Sequence, residues 1–181
     1  MSEMPGLVYT IGHSTRTFEQ LVSALAGHGI TTLVDVRSFP MSRRLPHFNR
    51  DFLETELPKR GIAYIWMKEL GGRRKKILRD SPNIALRNQS FRNYADYMMT
   101  EEFAQAIERL LEVASRGKAA YMCAERVYFH CHRMLISDYL VAHGHTVLHI
   151  DDEKHEPRPH KPMSEARLAE GKLVYDGGML L

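Results

Sequence analysis

Both cysteines of the 181-residue chain, Cys123 and Cys131, fall within residues 121–133, together with Glu125, Arg126, His130, His132 and Arg133. Thiols, imidazoles, a carboxylate and guanidinium groups in one short segment allow three kinds of chemistry. In the first, a cysteine at a strand tip or a helix N-terminus is a nucleophile, because unpaired backbone N–H groups and nearby cations favour the thiolate. Cys123 or Cys131 would attack, His132, His130 or His13 would accept the proton, and Arg133 and Arg37 would hold an anionic substrate. In the second, Cys123, Cys131, His130 and His132 bind zinc or iron, although their spacing is not a CxxC pattern. In the third, both cysteines are small buried apolar residues and Glu125 and Arg133 form a structural ion pair.

The elements that must position these groups follow from hydrophobic periodicity. Residues 119–123 read as a buried strand, and Cys131-His132-Arg133 opens an amphipathic helix carrying Leu135, Ile136, Tyr139 and Leu140 and closing at Gly144. Upstream, residues 7–11 form a strand before Gly12, and Thr17 caps a helix with Phe18, Leu21, Val22 and Leu25 on one face. A second strand spans 31–36, and Asn49 is placed to cap a helix that Pro58 and Gly61 terminate. Residues 62–66 supply a third strand, residues 91–98 and 103–114 carry helical spacing with Thr100 as a cap, and 146–150 is a fifth strand. This β-α alternation predicts one α/β domain over residues 1–181: three layers, with a mainly parallel five-stranded sheet and helices on both faces. Residues 151–181 form a C-terminal tail, in which Gly171 between short apolar runs marks a hairpin.

Ligands of such sheets bind outside the carboxyl ends of the strands. The residues delivered to that rim are Gly12-His13-Ser14, Asp35 with Arg37-Ser38, Glu69 with Gly71-Gly72, Cys123 with Glu125, and His149 with Asp151. Catalytic groups are then expected among Cys123, Cys131, His13, His132, Asp35 and Glu125. Substrate contacts are expected from Gly12, Ser14, Arg37, Ser38, Arg133, Gly71 and Gly72. Asp35 is suited to orienting a histidine, binding a ribose hydroxyl, or capping its own loop. His13 is suited to general-base work, since imidazole titrates near neutrality.

Net charge is only +3, but residues 37–92 hold fourteen Lys and Arg against five Asp and Glu. Arg43, Arg44, Arg73, Arg74, Lys75 and Lys76 lie among Pro, Gly and Asn, which favours exposed loops able to meet phosphates or simply a solvated basic face. Tyr64, Trp66, Tyr94 and Tyr97 could stack on bases there, or belong to the core. An anionic small molecule is therefore the expected ligand, with nucleic acid the alternative. No GxGxxG or Walker pattern supports NAD or ATP as cofactor. No leader-like start and no apolar run near the ~20 residues of a membrane span is visible, and two cysteines make no disulfide framework, so a cytoplasmic protein is expected.

Taken together, Tyr9-Thr10-Ile11-Gly12-His13-Ser14, Val34-Asp35-Val36-Arg37-Ser38, Ser42-Arg43 with Phe48-Asn49, Glu69-Leu70-Gly71-Gly72, Tyr94 with Tyr97-Met98, and Cys123-Ala124-Glu125 with Cys131-His132-Arg133 resemble the family called domain of unknown function 488. The resemblance runs from about residue 7 to 150, and the tail, with Lys161-Pro162-Met163-Ser164 and Gly171-Lys172-Leu173-Val174-Tyr175, resembles that family's C-terminus. The resemblance implies the fold and the site, and no substrate. Val34-Asp35-Val36-Arg37 followed by Cys123 is more weakly similar to rhodanese-type domains, in which a cysteine leads directly into the next helix; here seven residues intervene before Cys131.

Overall fold

The computed structural model describes residues 4–178. Its order is β1 (Leu7–Gly12), α1 (Phe18–Gly27), β2 (Thr32–Asp35), α2 (Arg50–Glu56), β3 (Ala63–Trp66), α3 (Gln89–Tyr97), α4 (Glu101–Ser115), β4 (Ala119–Cys123), α5 (Arg133–Ala142), β5 (Thr146–His149), β6 (Arg158–Pro159), β7 (Ala166–Ala169) and β8 (Lys172–Tyr175). The sheet runs β3-β2-β4-β1-β5-β6, with parallel pairing through β5 and a two-residue antiparallel edge at β6. The five parallel strands and flanking helices are those expected; β6 is an addition that the sequence, with only Arg158-Pro159 to announce it, does not advertise.

Helix placement follows from handedness. The chain moves outward in one direction through β1, β2 and β3, then returns through β4 to β5. Right-handed crossovers must put helices of opposite travel on opposite faces. Accordingly, α1 and α2 bury Leu21, Val22, Leu25 and Leu53 against Tyr9, Ile11, Leu33 and Met122. On the other face, α3, α4 and α5 bury Tyr94, Phe103, Ile107 and Leu135 against Val8, Val34, Tyr121 and Cys123. Alternate residues of each strand therefore serve different cores, the period of two expected of a strand buried on both sides.

Capping fixes several boundaries. Thr17 and Gln20 exchange both bonds of a capping box at α1, and Thr100 accepts from Phe103 N at α4. Asn49 stands at the start of α2 but makes no cap bond, because its Oδ1 accepts from Ser42 N instead. The helix expected from Cys131 begins two residues later. A single 3₁₀ turn at Tyr128–His130 leaves Cys131 extended, with φ −142° and ψ 173°. Beyond β6, β7 and β8 form an antiparallel hairpin turned by Glu170 and Gly171, and it seals the α3/α5 face with Leu173 and Tyr175. Among the described residues no helix is long and apolar enough to cross a membrane.

Candidate active site

Cys123 closes β4 with its side chain on the α5 face, and Cys131 meets it from the loop before α5, Sγ to Sγ at 2.9 Å. Both are free and buried, Cys131 at 7% exposure. Arg133, in the first turn of α5 and 1% exposed, is the hub of the site. Its Nε donates to Cys123 Sγ at 3.0 Å, one terminal nitrogen donates to Thr10 Oγ1 at 2.7 Å, and the other donates to the carbonyls of Glu125 and Arg126. With Arg133 donating to Cys123, the Cys123 S–H is free to donate to Cys131. Burial opposes ionisation of Cys131, but the hydrogen bond from Cys123 and the charge of Arg133 outweigh it and lower the thiol from 9.0 to about 7. Burial and the contact with Cys131 push Cys123 the other way. Within the pair Cys131 is thus the more readily ionised thiol and Cys123 the less.

A second chain of hydrogen bonds leaves the same guanidinium. Thr10 Oγ1 meets His149 Nδ1 at 3.1 Å, His149 Nε2 meets His160 Nδ1 at 2.9 Å, and His160 Nε2 meets Asp138 Oδ1 at 2.6 Å. Because Arg133 can only donate, one direction satisfies every member: Thr10 donates to His149, His149 to His160, and His160 to Asp138. Tyr175 donates to Asp138 Oδ2 at 2.9 Å, which ties the C-terminal hairpin to the chain. Burial, aided by the charge of Arg133, lowers His149 to about 3, and Tyr128 stacks on its ring at 3.8 Å. Of these residues, Thr10, Asp138, His160 and Tyr175 were not expected in the site. The signals were faint: a threonine inside an apolar strand and an aspartate on the buried side of α5.

The opposite face holds a separate cluster. Asp35 Oδ1 accepts from Arg37 N and Nε, and its Oδ2 accepts from Arg37 at 2.6 Å and from Tyr64 OH at 2.5 Å. Arg37 also donates to Phe48 O and toward His13 Nε2. The charge of Arg37, expected to hold an anion, is met by Asp35. Two expectations are corrected: Asp35 has no oxygen left for a ribose, and His13, donating from Nδ1 to Ser14 O and accepting from Arg37, has no lone pair left to act as a base. Burial, with a contribution from Arg37, lowers His13 to about 4. Asp35 and Cys123 stand on alternate faces of their strands, whereas Arg37 reaches the edge of a cleft that Cys131 also lines.

A candidate ligand space on the rim lies above the ends of β4 and β1, where Gly12 is in register with Cys123. The chain itself fills it: a Cβ on Gly12 would lie 1.8 Å from Glu125 O. Glu125 contributes that carbonyl, while its carboxylate is exposed and does not pair with Arg133. The open cleft, of about 310 Å³, lies nearer β2 and is lined by Arg37, Ser38, Phe39, Gly72, Arg73, Ser90, Phe91, Cys131 and His132. Ser38 Oγ accepts from Arg73 N and binds the β3 loop to the β2 loop. Gly71 packs on Ser38, and Gly72 leaves room for the His132 ring, 2.6 Å from where a Cβ would be. His132 donates from Nε2 to Val36 O at 2.7 Å, leaving Nδ1 with a lone pair, and burial lowers it to about 4. A cavity of about 520 Å³ at the opposite end of the sheet, around Met4, Leu7 and His145, contains none of these groups.

The remaining expected residues are dispersed. Ser14, with φ 50°, borders a separate polar cavity with Arg16, Arg126, Asp152 and Glu153. Arg43, Arg44, Arg73, Lys75 and Lys76 are exposed. Arg74 instead donates to the carbonyls of Gly71, Lys68 and Glu69 and lies 3.7 Å over the Tyr97 ring. Tyr94 and Tyr97 are core residues, and Trp66 donates to Arg37 O beneath Arg50, so none of these three offers an open stacking face. His130 is exposed against Phe129, away from the thiols. Among the described residues no three His, Cys, Asp or Glu side chains converge as a ligand set, so the donors proposed for zinc or iron do not assemble.

No curated protein and no solved structure matches the chain. A family model does match, over residues 17–140, which takes in Asp35, the Gly71-Gly72 loop and both cysteines but not Thr10, His13, His149 or His160. The chain belongs to the family described as domain of unknown function DUF488.

Proposed function

We propose that this protein is an enzyme whose nucleophile is the Cys131 thiolate, acting on an anionic small molecule held in the rim cleft. The observation that supports the reading is the run of contacts from Arg133 to Cys123 to Cys131, whose last residue lines the cleft. Three features support the roles. His132 is neutral with its Nδ1 lone pair unprotonated, so it serves as the proton acceptor beside Cys131. Arg73, exposed and lining the cleft, is the cation for the substrate's negative charge. Phe39, 67% exposed with the Arg73 guanidinium 5.4 Å from its ring centroid, offers a flat apolar surface to a ring-bearing, nucleotide-like substrate.

The test is alkylation of the intact protein with iodoacetamide across pH, with peptide mapping of the product. Cys131 is expected to react first, with a midpoint near 7. Reaction at Cys123 first, or a midpoint at the ~8.5 of a free thiol, refutes the reading. A polyanion-binding role is the alternative, favoured by the exposed Arg43, Arg44, Arg73, Lys75 and Lys76. It requires binding that weakens steeply with salt while Cys131 alkylation leaves binding unchanged.

A further inference from the structure

We infer that Cys123 and Cys131 are a redox-active dithiol, in which a hydroperoxide oxidises Cys131 and Cys123 then resolves it to an intramolecular disulfide. This rests on Cys131 being the thiolate of the proposed reaction, and it adds a second fate for that sulfur.

The geometry argues for closure. The sulfurs are already at 2.9 Å, so roughly 1 Å of motion separates them from the ~2.05 Å of a bonded pair. That motion falls on a loop of seven intervening residues, 124–130, most of them exposed or half-buried and containing no long helix or strand. The polar partners of the two sulfurs, apart from each other, are Arg133 Nε and the carbonyls of Glu125 and Tyr128. A side-chain base or metal ligand set does not stand between them. The size of the oxidant follows from access. Cys131 is 7% exposed and Cys123 3%, so a small peroxide can reach the outer sulfur through the cleft, whereas a bulky disulfide would have to open the site.

The chemistry balances in two steps. The Cys131 thiolate attacks the terminal oxygen of the hydroperoxide, the O–O bond breaks, Cys131 becomes a sulfenic acid and the peroxide leaves as an alcohol or water after taking a proton. Cys123 sulfur then displaces the sulfenic oxygen; the S–O bond breaks, the S–S bond forms, and one water carries away the oxygen with the thiol proton and the hydroxyl proton. Two electrons pass from the thiols to the peroxide. Arg133 would stabilise Cys123 as it becomes the attacking thiolate, being already bonded to its sulfur at 3.0 Å. Closure removes the nucleophile, so the same event would switch off the proposed reaction until a reductant restores it.

The experiment uses the full chain, reduced and then given equimolar hydrogen peroxide. Intact mass under non-reducing conditions should fall by two hydrogens, both thiols should stop titrating together, and dithiothreitol should restore them. Cys123→Ser should instead accumulate a sulfenic acid at Cys131 that dimedone traps, while Cys131→Ser should leave Cys123 unoxidised at the same dose. A wild-type protein that gains oxygen at Cys131 while Cys123 still titrates, or that links only between chains, overturns the inference. The alkylation profile separates the two ideas: a Cys131 midpoint near 7 without closure sinks only the dithiol, whereas an ordinary midpoint sinks the nucleophile itself.

Discussion

Replacing Arg133 by methionine keeps an unbranched chain in the same space and removes the charge. In the intact site, Cys131 sits at about 7 against an ordinary 9.0. Burial raises it, while the Cys123 hydrogen bond and Arg133 lower it; with Arg133 gone, the first two oppose one another and the thiol returns to about its ordinary value. At pH 7 the thiolate fraction then falls from about one half to about one hundredth, roughly 50-fold. A more basic thiolate is a better nucleophile, by ~0.4–0.5 in log rate for each unit by which the thiol's pKa rises, which returns about eightfold. The net expectation for Arg133→Met is a roughly sixfold slower alkylation of Cys131 at pH 7, a midpoint near 9, and a plateau at high pH above that of the wild type, so that the two profiles cross. The assay is the iodoacetamide rate from pH 5 to 10.5, with circular dichroism to establish that the variant is folded. That control is needed because Thr10 and the carbonyls of Glu125 and Arg126 lose their donor, at about 1–3 kcal/mol for each group left unsatisfied. Arg133→Lys, which keeps the charge without the fork, should retain a low midpoint. A folded Arg133→Met protein whose profile matches the wild type would refute the assignment of the thiolate to this guanidinium.

Stability should fall in mild acid. His13 and His149 have folded pKa values of about 4 and about 3, below the 6.5 of an unfolded histidine, so between those limits the unfolded chain binds more protons and stability rises with pH; it is fully present above 6.5 and lost on descent toward 4. Each ring costs about 2 kcal/mol by pH 5, and a urea midpoint unchanged between pH 7 and 5 would contradict their burial as neutral rings. Gly72→Ala should put a methyl against the His132 ring and lower both the melting temperature and the Cys131 alkylation rate, at roughly 1–3 kcal/mol of stability. Arg74→Ala should destabilise the fold, by about 1–3 kcal/mol from its lost carbonyl contacts, whereas Arg73→Ala should leave the melting temperature alone and weaken protection of Cys131 by inorganic phosphate. Equal effects of these two substitutions on melting temperature would argue against the different roles given to neighbouring arginines.

The parallel sheet and its flanking helices were legible because they depend on short-range signals that agree: apolar runs of four to six residues, amphipathic helices between them, and Thr17 and Thr100 as working caps. The meeting of Cys123 with Cys131 was also legible in outline, since one strand and the next helix must bring those positions near each other. What could not be read was side-chain direction just beyond a strand end. Asp35 was placed in one cleft with the cysteines, but it stands on the far face and pairs with Arg37, whose other side borders the cleft that Cys131 lines. Asn49 failed as a cap for a similar reason, since Ser42 N competes for its oxygen. The relay through His149, His160 and Asp138 joins residues from β5, the tail and α5, and no spacing in the sequence encodes contacts between elements that far apart.

A rim rich in polar residues is thus no measure of how many of them are available to a ligand. Among the described residues no buried side-chain nitrogen or oxygen lacks a partner, so Arg37, Asp35, His13 and Arg133 are already committed to the fold. Their commitment follows from topology. Above the ends of β4 and β1 the space is closed by Gly12 against Glu125 and by the Arg133 guanidinium reaching the carbonyls of Glu125 and Arg126, whereas the connections diverge between β2 and β4. The open cleft lies on the β2 side of β4, between the β2 and β3 loops, which Ser38 binds to each other, and the Cys131-His132 segment that leads into α5. The proposed recognition there would draw on groups that still have capacity: the Cys131 sulfur, the Nδ1 lone pair of His132, the guanidinium of Arg73 and the hydroxyls of Ser38 and Ser90. Arg133 then acts from behind the sulfurs. Its charge is worth more there than at the cleft mouth, because a buried cation with fixed partners is little screened by salt and does not reorganise as the thiolate forms.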